Sequence, residues 1–163
     1  MPVSENEASG VRIRPARPED REFVVSLLPR LVEFGPPPWR DAAQMTATDV
    51  QVLSDALGHE TPGVAVFIAE GADGQALGFI HLRTATDYYT REEHGHIADI
   101  AVAREAEGRG VGRALLRKGE EWAPARGYRW LTLSVFAQNL RARELYRRAG
   151  YGEDMMRYLK VLV

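Results

Sequence analysis

The sequence predicts an α/β (α+β) domain in which helices cover both faces of a sheet, and three observations support this. Its 163 residues are the length of one ordinary domain, which can bury a core without disulfides. Hydrophobic residues make up 45% and charged residues 27% of the chain, as in soluble globular proteins. Segments with strand-like alternation are interleaved with segments that have apolar residues at helical spacing. This fold class alone indicates no function.

The first predicted elements are a strand and a helix. Residues 11–15 alternate apolar side chains with arginines, which predicts a half-buried strand. Pro18 lies where a helix can begin, and Pro29 would kink or end that helix. Residues 35–38 read Gly-Pro-Pro-Pro, and this run predicts a stiff loop.

A second helix is predicted from a capping box. Thr48 and Gln51 have the spacing at which two side chains bind the free amides of a helix start. Apolar residues then follow on one face, and Gly58 fits the helix end. We therefore expect this helix to begin near Thr48.

The rest of the chain alternates strands with helices. Residues 71–74, Gly-Ala-Asp-Gly, predict the turn of a hairpin. The predicted strands are residues 64–69, 75–83, 96–102, 130–135 and 155–163, and the predicted helices are residues 111–123 and 139–149.

Composition excludes several classes of site. The chain contains no cysteine, which excludes disulfides, thiolate metal sites and a cysteine nucleophile; we expect no metal. A net charge of −2 gives no electrostatic signature for nucleic acid or an anionic membrane. Residues 1–10 are polar and acidic, unlike a signal peptide, and no apolar run approaches the ~20 residues of a membrane span. We expect a flexible tail at residues 1–10, one domain at 11–163 and a cytoplasmic location.

The segment between the strand at 96–102 and the next helix is rich in glycine. Gly108, Gly110 and Gly112 allow the backbone to approach a ligand closely. The helix that follows presents unpaired N–H groups and the positive end of its dipole. This loop is therefore predicted to bind phosphate.

Two common phosphate-binding motifs do not fit this loop. A P-loop requires Lys and then Ser or Thr after its last glycine, where this chain has Arg113 and Ala114. The dinucleotide motif G-x-G-x-x-G requires a third glycine where this chain has Arg113 or Leu115, depending on the starting glycine. Nucleotide hydrolysis and NAD binding are therefore disfavoured.

A second pattern lies near the C-terminus. Asn139 suits a helix N-cap and Gly150 suits the residue after a helix, with an apolar face between them. The pattern reads Val135-x-x-x-Asn139-x-x-Ala142-x-x-Leu145-Tyr146-x-x-x-Gly150-Tyr151.

Together the two patterns resemble those of the GCN5-related N-acetyltransferase (GNAT) superfamily, over about residues 11–160. The family's coenzyme motif, Arg/Gln-x-x-Gly-x-Gly/Ala, aligns with residues 107–112. Gly110 and Gly112 match it, whereas Glu107 stands where the family has Arg or Gln. The resemblance implies a mixed, mostly antiparallel sheet that is splayed in the middle, with acetyl-CoA held in the gap.

The resemblance also implies roles for individual residues. Backbone N–H groups of Ile100, Ala101 and Val102 would bind the pantetheine arm and the thioester. Tyr146 would be the general acid that protonates the leaving thiolate. The implied coenzyme-binding residues on the loop and the two helices are Arg109, Gly110, Val111, Gly112, Arg113 and Asn139.

The general base is less well defined by the resemblance. Some relatives carry Glu-Asp where this chain has Ala98-Asp99; Asp99 is the candidate, although a strand aspartate is equally suited to a structural hydrogen bond. His59 and His81 lack supporting context and are interpreted as structural or surface residues. Alternative bases, acting directly or through water, are Glu92, Glu93, His94 and His96.

The acceptor site is expected between the first two helices and in residues 85–94. If acidic side chains there converge, they favour a cationic primary amine of a small molecule or peptide. With no cysteine, direct attack in a ternary complex is favoured over an acyl-enzyme. The candidate acceptor-binding residues are Glu33, Tyr88, Glu92 and Glu93, with Asp87 as a further acidic side chain.

Two other functions are open on the sequence alone. A catalytically idle acetyl-CoA-binding sensor or scaffold is favoured by Glu107 and by Ala98. A nucleic-acid-binding module has only the arginines in its favour and is opposed by the net charge. The apolar residues 155–163 suggest a possible homodimer.

Overall fold

The computed structural model describes residues 10–163, so that the predicted tail at residues 1–10 lies outside the described residues except for Gly10. The five strands of this described part form one sheet in the order β1-β2-β3-β4-β5. Within the described range, no helix combines the length and apolar character needed to cross a bilayer. The strands are β1 (Arg12–Pro15), β2 (Val64–Glu70), β3 (Ala76–Thr86), β4 (Glu93–Val102) and β5 (Leu131–Leu133), and the α-helices are α1 (Arg21–Leu27), α2 (Ala42–Gly58), α3 (Val111–Ala125) and α4 (Leu140–Arg148).

The predicted mixed, mostly antiparallel sheet is confirmed. Strands β1 to β4 pair antiparallel with their neighbours, and β4 pairs parallel with β5. The hairpin of β2 and β3 forms as predicted, whereas β4 begins three residues earlier than expected, at Glu93. Within residues 10–163 the structure also has three short 3-10 helices, at Pro18–Asp20, Leu28–Val32 and Arg104–Ala106.

Helix α1 ends where proline requires it. The α-helix stops at Leu27, and the chain tightens into the 3-10 helix that contains Pro29. A proline ring removes one backbone donor and clashes with the carbonyl four residues earlier. Of the two effects expected of Pro29, a kinked helix or a helix end, the structure shows the helix end.

The predicted start of α2 is wrong. The helix begins at Ala42, because the Asp41 carboxylate caps it by accepting the N–H groups of Ala43 at 2.8 Å and Gln44 at 3.3 Å. Thr48 lies inside the helix and donates its hydroxyl to the Gln44 carbonyl at 3.0 Å. An aspartate N-cap satisfies two amides at once, so the earlier start prevails.

Side chains of β3 alternate between two buried faces. Helix α3 packs on the face of Ile80 and Leu82: a methyl group added at Gly119 would lie 3.3 Å from Leu82 and 3.5 Å from Ile80. The absence of a side chain at Gly119 therefore lets the helix approach the sheet closely. The opposite face carries Phe79 and His81 and lies under α1 and α2, so both faces of the sheet are covered.

The sheet opens between β4 and β5, as the resemblance implied. The parallel pairing joins Gly95 to Leu131 and ends where Ile97 meets Leu133, although β4 continues to Val102. Directly after the last parallel pair, β4 contains a bulge: Leu82 faces Ile97 but His81 faces Asp99, which leaves Ala98 without a partner on β3. A bulge bends and twists its strand, which directs β4 away from β5.

The predicted closing strand at residues 155–163 is wrong. Residues 151–163 form no regular secondary structure. A strand requires a partner for its backbone groups, and β5 pairs over only three residues, with β4. Large apolar side chains of this segment are exposed, among them Met155, Tyr158, Leu159 and Leu162.

Candidate active site

The open side of β4 presents backbone groups to the gap. Ala103 donates its N–H to the Leu77 carbonyl of β3 at 2.8 Å, and backbone directions alternate along an antiparallel ladder. The N–H of Ala101 therefore points towards β3, whereas those of Ile100 and Val102 point into the gap. Of the three amides that the sequence suggested, two are oriented to receive a ligand.

The glycine loop lies at the end of this gap. Gly108 and Gly110 have φ values of 75° and 76°, a left-handed conformation that side chains disfavour. Gly110 is the N-cap of α3, so the loop leads directly into the free amides of a 15-residue helix. A methyl group added at Gly112 would lie 3.7 Å from both Val102 of β4 and Leu145 of α4. Gly112 therefore stands where the two sides of the gap meet.

The loop side chains differ in exposure. Val111 is buried against the core, whereas Arg109 and Arg113 are exposed at the helix start. On the other side of the gap, Asn139 caps α4 by accepting the Ala142 N–H at 3.2 Å. The capping role of Asn139 is thus observed, and its coenzyme contact stays a prediction.

Glu107 is neutralised by two arginines. Its carboxylate accepts from Arg30 of the second 3-10 helix and from Arg141 of α4, the latter at 2.9 Å. The hydrogen bond from Arg141 lowers the pKa of Glu107, and the hydrogen bond from Arg30 lowers it further. Arg30 also lies 3.6 Å from Glu33, which is bound by Arg104 at 2.6 Å. The acidic residue in the coenzyme motif therefore lies within a cluster rich in arginine.

Tyr146, the predicted general acid, lies on α4. It is half-buried on α4, packs against the core and contacts the Tyr151 ring edge-on, with the ring centroids 6.1 Å apart. Burial, and secondarily the negative charge of Asp99, raises the pKa of Tyr146. The hydroxyl is thus held protonated, as a proton donor must be.

Asp99 is paired with a histidine that the sequence interpretation set aside. His81 Nδ1 lies 2.9 Å from Asp99 Oδ2, and His81 is 3% exposed. His81 is therefore buried, as a structural residue would be, but it also contacts the candidate base Asp99. The signal that could have found it was its position in the middle of a predicted strand, next to the predicted strand of Asp99.

Asp49 of α2 is a third member of this group, also missed from the sequence. Burial raises the pKa of Asp49 to about 6, with a further contribution from the charge of Asp99 and an opposing one from His81. Two carboxylates near each other disfavour simultaneous ionisation. Helix α2 begins at Ala42, seven residues before Asp49, so Asp49 lies well inside the helix that covers this face of the sheet.

The candidate acceptor residues do not converge. Glu33 is bound by Arg104, just beyond the C-terminal end of β4, whereas Glu92 is bound by Arg129 at 3.2 Å, just before its N-terminal end. A strand of 10 residues separates these ends by about 30 Å. The predicted acidic mouth is therefore not formed by these residues.

The remaining acceptor candidates line the turn between β3 and β4. Tyr88 is 77% exposed and contacts Tyr89 edge-on, and Glu93 is exposed at the start of β4. Asp87 binds the turn itself, accepting the N–H groups of Tyr89 at 3.0 Å and Thr90 at 2.7 Å. Its carboxylate is thus occupied in shaping the loop.

His94 and His96, which precede Asp99 on β4, are poorly suited to act as the general base. His94 is buried beside Trp130. His96 is bound through Nδ1 to Thr132 of β5 at 2.8 Å, and burial, with the charge of Arg83, lowers its pKa to about 4. A base with so low a pKa has little affinity for a proton at neutral pH.

Comparison with known proteins agrees with this geometry. The family model described as "Acetyltransferase (GNAT) family" matches residues 28–151. An aminoglycoside N(6')-acetyltransferase type 1 of Stenotrophomonas maltophilia is 32% identical over 149 residues, which cover 90% of this chain and 89% of that protein.

Solved structures share the fold. A GCN5-related N-acetyltransferase from Ralstonia eutropha superposes with a TM-score of 0.73 at 22% identity, covering 93% of this chain and 99% of that one. An aminoglycoside N-acetyltransferase, AAC(6')-Iy, in complex with CoA superposes with a TM-score of 0.68 at 20% identity, covering 94% and 95%. At these identities the likeness concerns the fold.

Proposed function

This chain belongs to the GNAT acetyltransferase family, and on that premise we propose that it transfers an acetyl group from acetyl-CoA to a primary amine. The observation that carries the proposal is the gap between β4 and β5, with the glycine loop at its end and Tyr146 at its side. The family provides the reaction class, and the residues of the gap provide the parts that the reaction requires.

The coenzyme part of the proposal uses backbone groups. The pantetheine arm would pair with β4 at Ile100 and Val102, in place of the missing β5 partner. The pyrophosphate would bind the amides between Gly110 and Arg113, at the positive end of α3. Arg109 and Arg113 are exposed there and would complement the phosphate charge. Asn139 would contact the coenzyme from α4.

The chemical part uses Tyr146 and Asp99. The amine attacks the thioester carbonyl directly in a ternary complex, the C–N bond forms and the C–S bond breaks. Tyr146 protonates the leaving thiolate, which suits a hydroxyl whose pKa is raised. Asp99 accepts a proton from the amine, and its charge also helps to keep Tyr146 protonated.

The acceptor is proposed to be a cationic primary amine of a small molecule. Relatives named for aminoglycosides support this class, because an aminoglycoside carries amino groups. Within this chain, support comes from Asp49 and Asp99, which lie over the same face of the sheet. A cytoplasmic location, and a homodimer through residues 155–163, stay predictions; sedimentation velocity would check the second.

Calorimetric titration with acetyl-CoA, together with thiol release over a panel of amines, tests this function. We expect micromolar binding, and thiol release that falls about 100-fold in Tyr146→Phe but not in the matched variant Tyr151→Phe. Binding without release with any amine would favour the idle coenzyme-binding alternative. No binding would mean that Glu107 prevents the pyrophosphate from entering the loop.

A further inference from the structure

His81 has a buried hydrogen bond that requires an explanation. It lies in the middle of β3 with 3% of its surface exposed, and its Nδ1 is 2.9 Å from Asp99 Oδ2. Burying an imidazole and a carboxylate together is costly unless they bind each other well. Hydrophobic residues fill the neighbouring positions of β3, so packing alone does not require a histidine here.

The bulge in β4 determines how the pair is arranged. Since His81 and Asp99 are directly opposite across the ladder, their side chains lie on the same face of the sheet. The Asp99 side chain is 16% exposed and the His81 side chain 4%. A molecule that enters the site therefore meets Asp99 first, and His81 lies behind it.

A second carboxylate joins this pair from the covering helix. Asp49 of α2 is near enough for the charges of Asp99 and His81 to act on it. The titratable and charged groups that interact electrostatically with Asp99, with His81 or with the neighbouring His96 are Asp49 from α2, Arg83 from β3, His94 from β4 and Tyr146 from α4.

We propose that Asp49, His81 and Asp99 form an ammonium-receiving site, in which the two carboxylates bind a cationic amine, Asp99 takes up the amine's proton and His81 orients Asp99 through its hydrogen bond. This inference rests on the proposed function and assigns its acceptor end. Asp99 is the group that touches the amine, and His81 is a positioning residue behind it. Imidazole is suited to this task because one ring nitrogen carries an N–H that donates to a carboxylate while the ring stays neutral.

The protons balance across the reaction. The ammonium gives one proton to the Asp99 carboxylate, which leaves a neutral amine whose lone pair attacks the thioester. As the tetrahedral intermediate collapses, Tyr146 gives a proton to the coenzyme sulfur, and the nitrogen loses a second proton that restores Tyr146. Asp99 then releases its proton to solvent.

His81→Leu removes the hydrogen bond to Asp99, whereas His81→Asn places an amide donor where Nδ1 was. With the amine that gives the fastest thiol release, we expect kcat/KM to fall about 100-fold at pH 7 in His81→Leu and to stay within about tenfold of the parent chain in His81→Asn. The loss in His81→Leu should shrink as the pH rises towards 10, where the amine is neutral in solution and needs no base. The affinity for acetyl-CoA should stay within about twofold, since His81 lies outside the coenzyme gap.

The matched control is His96→Asn, which removes the neighbouring imidazole on the same face. We expect its pH profile to follow that of the parent chain. A His81→Leu variant that loses activity by the same factor at every pH, or loses none, overturns the positioning role, and so does a His81→Asn variant that loses as much as His81→Leu. If His81→Leu fails to fold, as judged by thermal unfolding, His81→Ala replaces it in the same measurement.

A second measurement needs no turnover. The protein saturated with CoA is titrated by calorimetry with 1,4-diaminobutane, spermidine and kanamycin, and with 1,4-butanediol as the uncharged match. We expect at least one of the cations to bind, and Asp49→Asn and Asp99→Asn each to weaken it about tenfold. Binding that is no better than that of the diol, or unchanged in both variants, overturns the site. Absence of thiol release with intact, carboxylate-dependent cation binding would instead overturn the proposed transfer.

Discussion

Two carboxylates in the same sheet, Glu70 of β2 and Asp99 of β4, have opposite kinds of partner. Glu70 accepts from Arg12 Nε at 2.8 Å and from Arg14 Nε at 2.7 Å, and Arg14 also holds both oxygens of Asp20, at 2.8 and 2.9 Å. The hydrogen bond from Arg14 has the largest effect and lowers the pKa of Glu70, and the hydrogen bond from Arg12 lowers it further. Its charge is therefore fixed at every physiological pH.

Asp99 lies instead with groups that can change their charge. Its partner is the imidazole of His81, and its negative charge helps to raise the pKa of Asp49 to about 6. Arginine stays protonated in proteins, whereas a carboxylate whose pKa is raised by burial and a neighbouring charge changes its charge closer to neutrality. On the proposed function, the Glu70 cluster would serve stability and the Asp99 cluster proton transfer.

The largest expected effect is on catalysis. Asp99→Asn should lower kcat about 10²- to 10⁴-fold, because it removes the group that receives the amine's proton. Glu70→Gln should leave kcat of the folded protein within about twofold. Steady-state thiol release at saturating acetyl-CoA measures both. Equal losses in the two variants would remove the distinction between the clusters.

The next effect is on stability. Glu70→Gln should lower the free energy of unfolding by about 2 kcal/mol, because hydrogen bonds to charged groups contribute ~1.5–3 kcal/mol. Urea denaturation measures the change. Glu60→Gln, at an exposed position, is the control and should change the free energy by less than ~0.5 kcal/mol. A Glu70 variant as stable as the control would show that the arginine cluster contributes little.

A smaller effect appears as a pH dependence. The pKa of Asp49 is raised from 3.8 to about 6 in the folded protein, so its contribution to stability is present below about pH 4 and is lost as the pH rises through 6. Asp49→Asn should therefore be more stable than the parent chain at pH 7.5, and the gain should fade towards pH 4. Urea midpoints across this range test the sign, with Asp55→Asn on the same helix as the control. A gain that is independent of pH would rule out ionisation as its cause.

The smallest effect is expected at Glu107. Because Arg30 and Arg141 already neutralise it, Glu107→Gln should tighten acetyl-CoA binding by no more than about threefold at physiological salt, where exposed charges are screened. Calorimetry at two salt concentrations measures this, with Glu105→Gln as the neighbouring control. A tenfold change would mean that Glu107 faces the phosphates without compensation.

The local elements of the proposed coenzyme half of the site follow the sequence more closely than those of the proposed acceptor half. Gly110 and Asn139 act locally, since a left-handed turn or a helix cap depends on a few adjacent residues. The elements around them form close to the predicted positions. Local patterns therefore suffice where the structure is built from one turn or one helix end.

The acceptor half depends on contacts between distant residues. His81 and Asp99 are 18 positions apart, and they meet because of the pairing register and the bulge at Ala98, neither of which has a signal in the residues themselves. Glu33 and Glu92 show the opposite error. Both are acidic and lie in predicted loops, so they were expected to be close together, but the length of β4 separates them. The strand expected at residues 155–163 had the right propensity but no partner.

The sheet opens because β4 contains one extra residue, Ala98, and not because of the side chain at that position. Exchanging its side chain leaves β4 one residue longer than the stretch of β3 that it faces, so the strand must still curve. Deleting it would let β4 run straight beside β5 and close the gap. In the course of divergence, this position should therefore tolerate changes of residue type far more readily than insertions or deletions.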